Sequence, residues 1–189
     1  MGYEENWEMY ANFAQEAYNA GNLEVSANIL VLAIEEAENF GEEDGRYLGT
    51  LERLGDVFCA AEHFEDAEDQ YLLTLKLKIG SMGDKTLSVA GTQHKLANLY
   101  FQQGQYAKAE ALLTTVVRTC KQHLPGEHRY LQTVERNLQN VKDQKVATGQ
   151  HKPVGAAKGP GAPAPSAAKN APLQGLNSLN DDSTWRKVE

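Results

Sequence analysis

QHKLANLYFQQGQYAKAEALLTTVV, Gln93–Val117, reads as two short amphipathic helices separated by a glycine-centred turn. Leu96, Ala97 and Tyr100 share a face of the first helix. Gly104 occupies the turn, Tyr106 opens the second helix, and Ala109 and Leu113 line it. Small residues beside large ones suit two helices crossing closely, ridges into grooves.

The pattern occurs twice more upstream without internal gaps. YANFAQEAYNAGNLEVSANILVLAI spans Tyr10–Ile34, and LERLGDVFCAAEHFEDAEDQYLLTL spans Leu51–Leu75. Phe13, Leu54 and Leu96 correspond, as do Ala14, Gly55 and Ala97, then Ala17, Phe58 and Tyr100. Leu23, Phe64 and Tyr106 open the second helices, followed by Ser26, Ala67 and Ala109, then Leu30, Tyr71 and Leu113. Gly21 and Gly104 hold the turn in units one and three. Glu62 stands there in unit two, which predicts a strained or differently shaped turn.

These units resemble the tetratricopeptide repeat, a helix–turn–helix module. Phe13 to Leu54 is 41 residues and Leu54 to Leu96 is 42. That interval, with linkers such as NFGEEDGRYLGTLERL and QHLPGEHRYLQTVERNL, resembles the kinesin-light-chain subclass. The resemblance implies an all-α fold: a right-handed α-solenoid of three helix–turn–helix repeats plus a C-terminal capping helix. The expected repeats are 7–40, 48–81 and 90–123, within a domain of residues 1–145. Helices are expected at 4–20, 23–40, 45–61, 64–80, 84–103, 106–123 and 127–145. The last carries Tyr130, Leu131, Val134, Leu138 and Val141 at helical spacing with no partner helix after it, as an end cap requires. Residues 146–189, rich in Ala, Pro and Gly, read as a disordered tail, with a candidate terminal motif at 173–189.

The 189 residues carry a net charge of −8, which argues against a nucleic-acid binder. Residues 1–75 hold 18 Asp and Glu against Arg46 and Arg53; the remainder is net +8. This split reads as a solvated acidic face with a basic tail, or as a surface that meets another. No run is long and apolar enough to span a membrane, and no signal-peptide pattern opens the chain, so a cytoplasmic setting with no membrane partner is expected. Asn6 stands where myristoylation after Gly2 would want Ser or Thr. Cys59 and Cys120 sit in apolar helical pattern as packed free thiols.

The residues show no catalytic constellation. His63, His94, His123, His128 and His151 form no ligand set with cysteines or carboxylates, so no metal, no cofactor and no enzyme activity are expected. The resemblance instead implies a concave groove walled by each repeat's first helix. It assigns that wall Asn12, Gln15, Arg53, Asp56, His94, Lys95, Asn98, Arg136, Asn137 and Asn140. Asn12, Arg53, Lys95 and Asn137 occupy one equivalent row, mostly Asn in the kinesin-light-chain subclass, where it bonds the backbone of an extended peptide. Arg53 and Lys95 depart from that row and add attraction for carboxylates. The positions matching a chaperone-type carboxylate clamp, Ala11, Gln15, Arg53, Gly91 and Lys95, do not reproduce it. The expected role is a non-enzymatic scaffold binding extended, acidic peptide segments of protein partners. An alternative is a structural subunit associating head-to-tail through its acidic and basic halves. Asp181, Asp182 and Trp185 form an acidic–aromatic cluster through which the tail could enter its own groove.

Overall fold

A computed structural model describes residues 2–149 of the chain. The described residues form seven α-helices and no strand: α1 Tyr3–Asn19, α2 Leu23–Ala37, α3 Gly45–Ala60, α4 Phe64–Met82, α5 Leu87–Gln102, α6 Tyr106–His123 and α7 Arg129–Ala147. They belong to two compact units, Met1–Lys95 and Leu96–Glu189. No helix among them is long and apolar enough to cross a membrane.

Five helices begin and end where apolar periodicity places them, within about two residues. The others shift for local chemical reasons. The helix expected at 84–103 starts at Leu87 because the Thr86 hydroxyl accepts from the Val89 backbone N–H at 3.3 Å, satisfying one orphan donor. The helix expected to reach residue 40 tightens into a 3₁₀ turn, Glu38–Phe40, before Gly41 at φ 100°. Asp44 and His128 cap α3 and α7 by accepting from Arg46 N–H at 2.8 Å and Tyr130 N–H at 3.2 Å.

The three hairpin turns share one geometry. Asn22, His63 and Gln105 donate backbone N–H bonds to the carbonyls of Ala17, Phe58 and Tyr100 at 2.9, 2.9 and 2.8 Å. Gly21, Glu62 and Gly104 donate to Tyr18, Cys59 and Phe101 at 2.9, 3.2 and 3.0 Å. This paired closure is the Schellman motif. The second turn therefore keeps the common shape, contrary to the alternative that Glu62 reshapes it. Glu62 takes φ 61° in the left-handed region, where a side chain costs about 1 kcal/mol or more.

In the first unit α1 packs on α2, α2 on α3, and α3 on α4. Ala14, Leu30, Leu54 and Val57 form a buried cluster against which Leu23, Ala27, Ile29, Ile34 and Phe58 pack. Ala14 and Ser26 are small enough for α1 and α2 to approach, and the Ser26 hydroxyl donates to the Ala14 carbonyl at 2.8 Å. Phe13 departs from its equivalents: it is 50% exposed, whereas Leu54 is 4% exposed. Its neighbour on the same face, Glu16, is also exposed, while the equivalent Val57 and Leu99 are buried. The first repeat thus presents a polar outer edge on which Phe13 is an exception.

Gly55 marks a close approach of α3 to α4. A Cβ built there would lie 2.7 Å from Tyr71 Cε1 and 3.3 Å from Gln70 Cβ. Tyr71 cannot swing away freely, because its hydroxyl donates to Asp56 Oδ1 at 2.7 Å. Alanine gains about 1 kcal/mol of helix propensity over glycine. Overpacking of this kind costs about 1–3 kcal/mol. Gly55→Ala is therefore expected to destabilise the unit by about 1 kcal/mol net, measured by urea unfolding, against the stabilisation that propensity alone predicts.

In the second unit the Phe101 and Tyr106 rings meet edge-on with centroids 5.6 Å apart, and the Lys108 ammonium lies 4.6 Å from the Tyr100 ring centroid. Helix α7 packs on α6, burying Tyr130, Leu131, Val134 and Val141, while Gln132, Arg136, Gln139 and Asn140 face water. Both cysteines are buried and neither is in a disulfide, and burial pushes the Cys120 thiol up to about 12.

Candidate peptide-binding wall

Helix α1 contributes Ala11 and Gln15, four residues apart on one face. Arg53 of α3 reaches that face: its Nη2 donates to the Ala11 carbonyl and to Gln15 Oε1, each at 3.0 Å. A mid-helix carbonyl can accept this second bond on its free lone pair. Gln15 is fixed in turn by donating to Asn19 Oδ1 at 2.9 Å. Arg53 is half-buried and, among the described residues, bonds no carboxylate directly. Burial lowers its pKa, opposed by the nearby Asp56 charge.

The expected second cation is placed differently. Lys95 is only 2% exposed, and its Nζ donates to Asp56 Oδ2 at 2.6 Å. Burial works against its charge, but Asp56 and Glu52 together outweigh that and raise its pKa. One helical turn away on α3, Glu52 accepts from the Lys78 Nζ at 2.9 Å and from the Thr92 hydroxyl; Lys78 also donates to Thr92 at 3.2 Å. Burial pushes the Glu52 carboxyl up, and Lys95, Lys78 and the two hydrogen bonds pull it below its ordinary range. Lys95 thus belongs to an internal network joining α3, α4 and α5.

The equivalent row is therefore graded. Asn12 is exposed and Arg53 half-buried, whereas Lys95 and, in the second unit, Asn137 are buried. His94 and Asn98 are buried as well. Gln15, Arg136 and Asn140 are exposed, and Asp56 is partly so. The first unit brings Gln15 to Arg53, and Asp56 to Lys95 and Tyr71. The cluster Asp181, Asp182 and Trp185 lies outside the described residues. Tyr71, Lys78 and Thr92 were not expected as polar participants. Lys78, set between Leu77 and Ile79 in an apolar run, is the one sequence signal that could have indicated buried pairing.

Tyr18, a turn beyond Gln15, keeps its phenol protonated: burial raises its pKa, followed by the charges of Asp56 and Cys59, against Lys95. Among the described residues no group of three or more His, Cys, Asp or Glu could hold a metal ion.

A family model described as "Tetratricopeptide repeat" matches residues 89–130, the third hairpin with its following linker. Residues 89–130 are a tetratricopeptide repeat. Solved tetratricopeptide folds resemble the chain at low identity. BtubC (BKLC) from P. vanneervenii is 18% identical with a TM-score of 0.63, over 85% of this chain and 71% of that one. A Podosopora anserina protein described as a kinesin light chain with nearly identical TPR-like repeats is 17% identical with a TM-score of 0.66, over 76% and 68%. A singly substituted form of that fungal protein is 20% identical with a TM-score of 0.67, over 79% and 70%. No curated protein sequence matches the chain. The tetratricopeptide fold is in general a scaffold for protein–protein interaction, and the likeness to kinesin-light-chain structures concerns the fold.

Proposed function

We propose that this protein is a non-enzymatic scaffold that binds extended, acidic segments of protein partners along its first-helix wall, with Arg53 as the recognition cation. The supporting observation is the Arg53 guanidinium itself. It is half-buried and held by Nη2 against Ala11 and Gln15, with no carboxylate among the described residues bonded to its remaining N–H groups. A guanidinium fixed in this way offers a preorganised fork to an incoming carboxylate. Asn12 and Gln15 stand exposed beside it to bond a peptide backbone. Lys95 is already neutralised by Asp56, so the basic centre of the wall reduces to Arg53.

The test is titration of the full chain with a fluorescent peptide rich in Asp and Glu, and with its Asn/Gln counterpart. Arg53→Gln is expected to weaken the acidic peptide about tenfold, roughly 1.4 kcal/mol, and to flatten its salt dependence. The neutral peptide should change little. Equal affinities of wild type and Arg53→Gln for the acidic peptide would overturn the assignment.

A further inference from the structure

The outer face of each second helix has a repeat-specific character. On α6 it carries Thr114 and Thr115. At the same register α2 carries Val31 and Leu32, and α4 carries Leu72 and Leu73, each at least 40% exposed. Repeat packing does not require apolar residues there, since α6 does without them. Exposed acids flank the row, including Glu24, Glu35, Asp69 and Glu65. The unit as a whole holds 19 Asp and Glu against six Lys and Arg. Four large apolar side chains displayed at equivalent register within an acidic surface are the mark of a docking face.

The chain supplies a fitting occupant. Leu173, Leu176 and Leu179 recur every third residue, a spacing that lines one face of a helix. Residues 150–180 contain Lys152, Lys158 and Lys169 and no carboxylate, so the approach to those leucines is complementary in charge to the first unit. Twenty-five residues separate Ala147 from Leu173. A chain of that length can span up to about 85 Å. A short tether gives an effective concentration on the order of millimolar, so even a weak contact is populated.

We propose that residues 173–180 dock their leucine row on the apolar outer face of α2 and α4 in the same molecule. The docked segment covers Val31, Leu32, Leu72 and Leu73, and the tail lysines run over the acidic surface around them. The row lies on second helices and the proposed peptide-binding wall on first helices, so the two sites share no residue and fail or succeed separately.

The test is paramagnetic broadening in the full chain with a nitroxide at Ser178→Cys. Cys59 and Cys120 are both buried, which directs the label to the new thiol. The methyl signals of Val31, Leu32, Leu72 and Leu73 should lose most of their intensity. They should regain it in the labelled chain that also carries Leu173→Ser, Leu176→Ser and Leu179→Ser. Unbroadened methyls, or broadening centred on Ala11 and Ala14 of the first-helix wall, would overturn the proposal. So would broadening in a mixture of labelled chains with unlabelled, isotope-enriched ones, because that contact would lie between copies.

Discussion

Lys95→Glu is expected to lower the stability of the first unit by about 3–5 kcal/mol, the cost of breaking a buried ion pair and leaving its charge uncompensated. Lys95 is almost wholly buried, 2.6 Å from Asp56, and it supports the Glu52 charge one turn along α3. Glutamate there would place three carboxylates around one desolvated position. Lys95→Met separates charge from packing. Asp56 would keep the Tyr71 hydroxyl, and Glu52 would keep Lys78 and Thr92, so each acid retains a hydrogen-bond donor. The methionine variant should therefore lie well above the glutamate variant in thermal midpoint, with the latter about 10 °C or more below wild type. In a double-mutant cycle with Asp56→Asn, Lys95→Met should cost less than it does alone, because the two groups share one interaction. Melting of Lys95→Glu within a few degrees of wild type would show that the pair is hydrated rather than buried.

The same lysine shows where sequence reasoning stops. Repeat register alone places Arg53 and Lys95 in one row with Asn12, and it correctly gives seven helices, the hairpin turns and the small–large seams. Those features repeat because each depends on residues within one hairpin: the 6→1 and 5→2 turn bonds, Ala14 under Ser26, Gly55 under Tyr71. Charge pairing obeys no such register. Lys95 meets Asp56 across 39 residues, Thr92 meets Glu52 across 40, and Lys78 meets Glu52 across 26. Only one repeat interval supplies these partners, so internal comparison cannot reveal them. Arg53 and Lys95 therefore look alike in sequence and differ in the fold. Arg53 faces α1, where it finds a carbonyl and an amide. Lys95 faces α3, where it finds an acid. Phe13 fails in the opposite sense: the pattern places it with Leu54, but Leu54 is buried in a cluster with Leu30 of α2 whereas Phe13 is 50% exposed.

His94 sets the pH response of the same region. Its side chain is fully buried, and burial first, then the adjacent Lys95 charge, pushes its pKa down to about 4. At neutral pH it is uncharged in the folded chain. In the unfolded chain it titrates near 6.5, so between 6.5 and 4 the unfolded state takes up a proton that the folded state refuses. Stability is thus present above pH 6.5 and is lost as pH falls through that window, to a total of about 3 kcal/mol at 1.36 kcal/mol per pH unit. At pH 5 the loss should be about 2 kcal/mol, before the depressed Glu52 carboxyl begins to contribute below its ordinary range. Urea titrations of the full chain at pH 7 and pH 5 measure it. His94→Gln, which keeps amide hydrogen-bonding without a titrating ring, should remove most of the difference. A variant that retained the full pH dependence would place the titrating group elsewhere. Lys95→Met takes away one of the two causes that hold the His94 pKa down, so the stability lost between pH 7 and pH 5 should be smaller in that variant than in wild type.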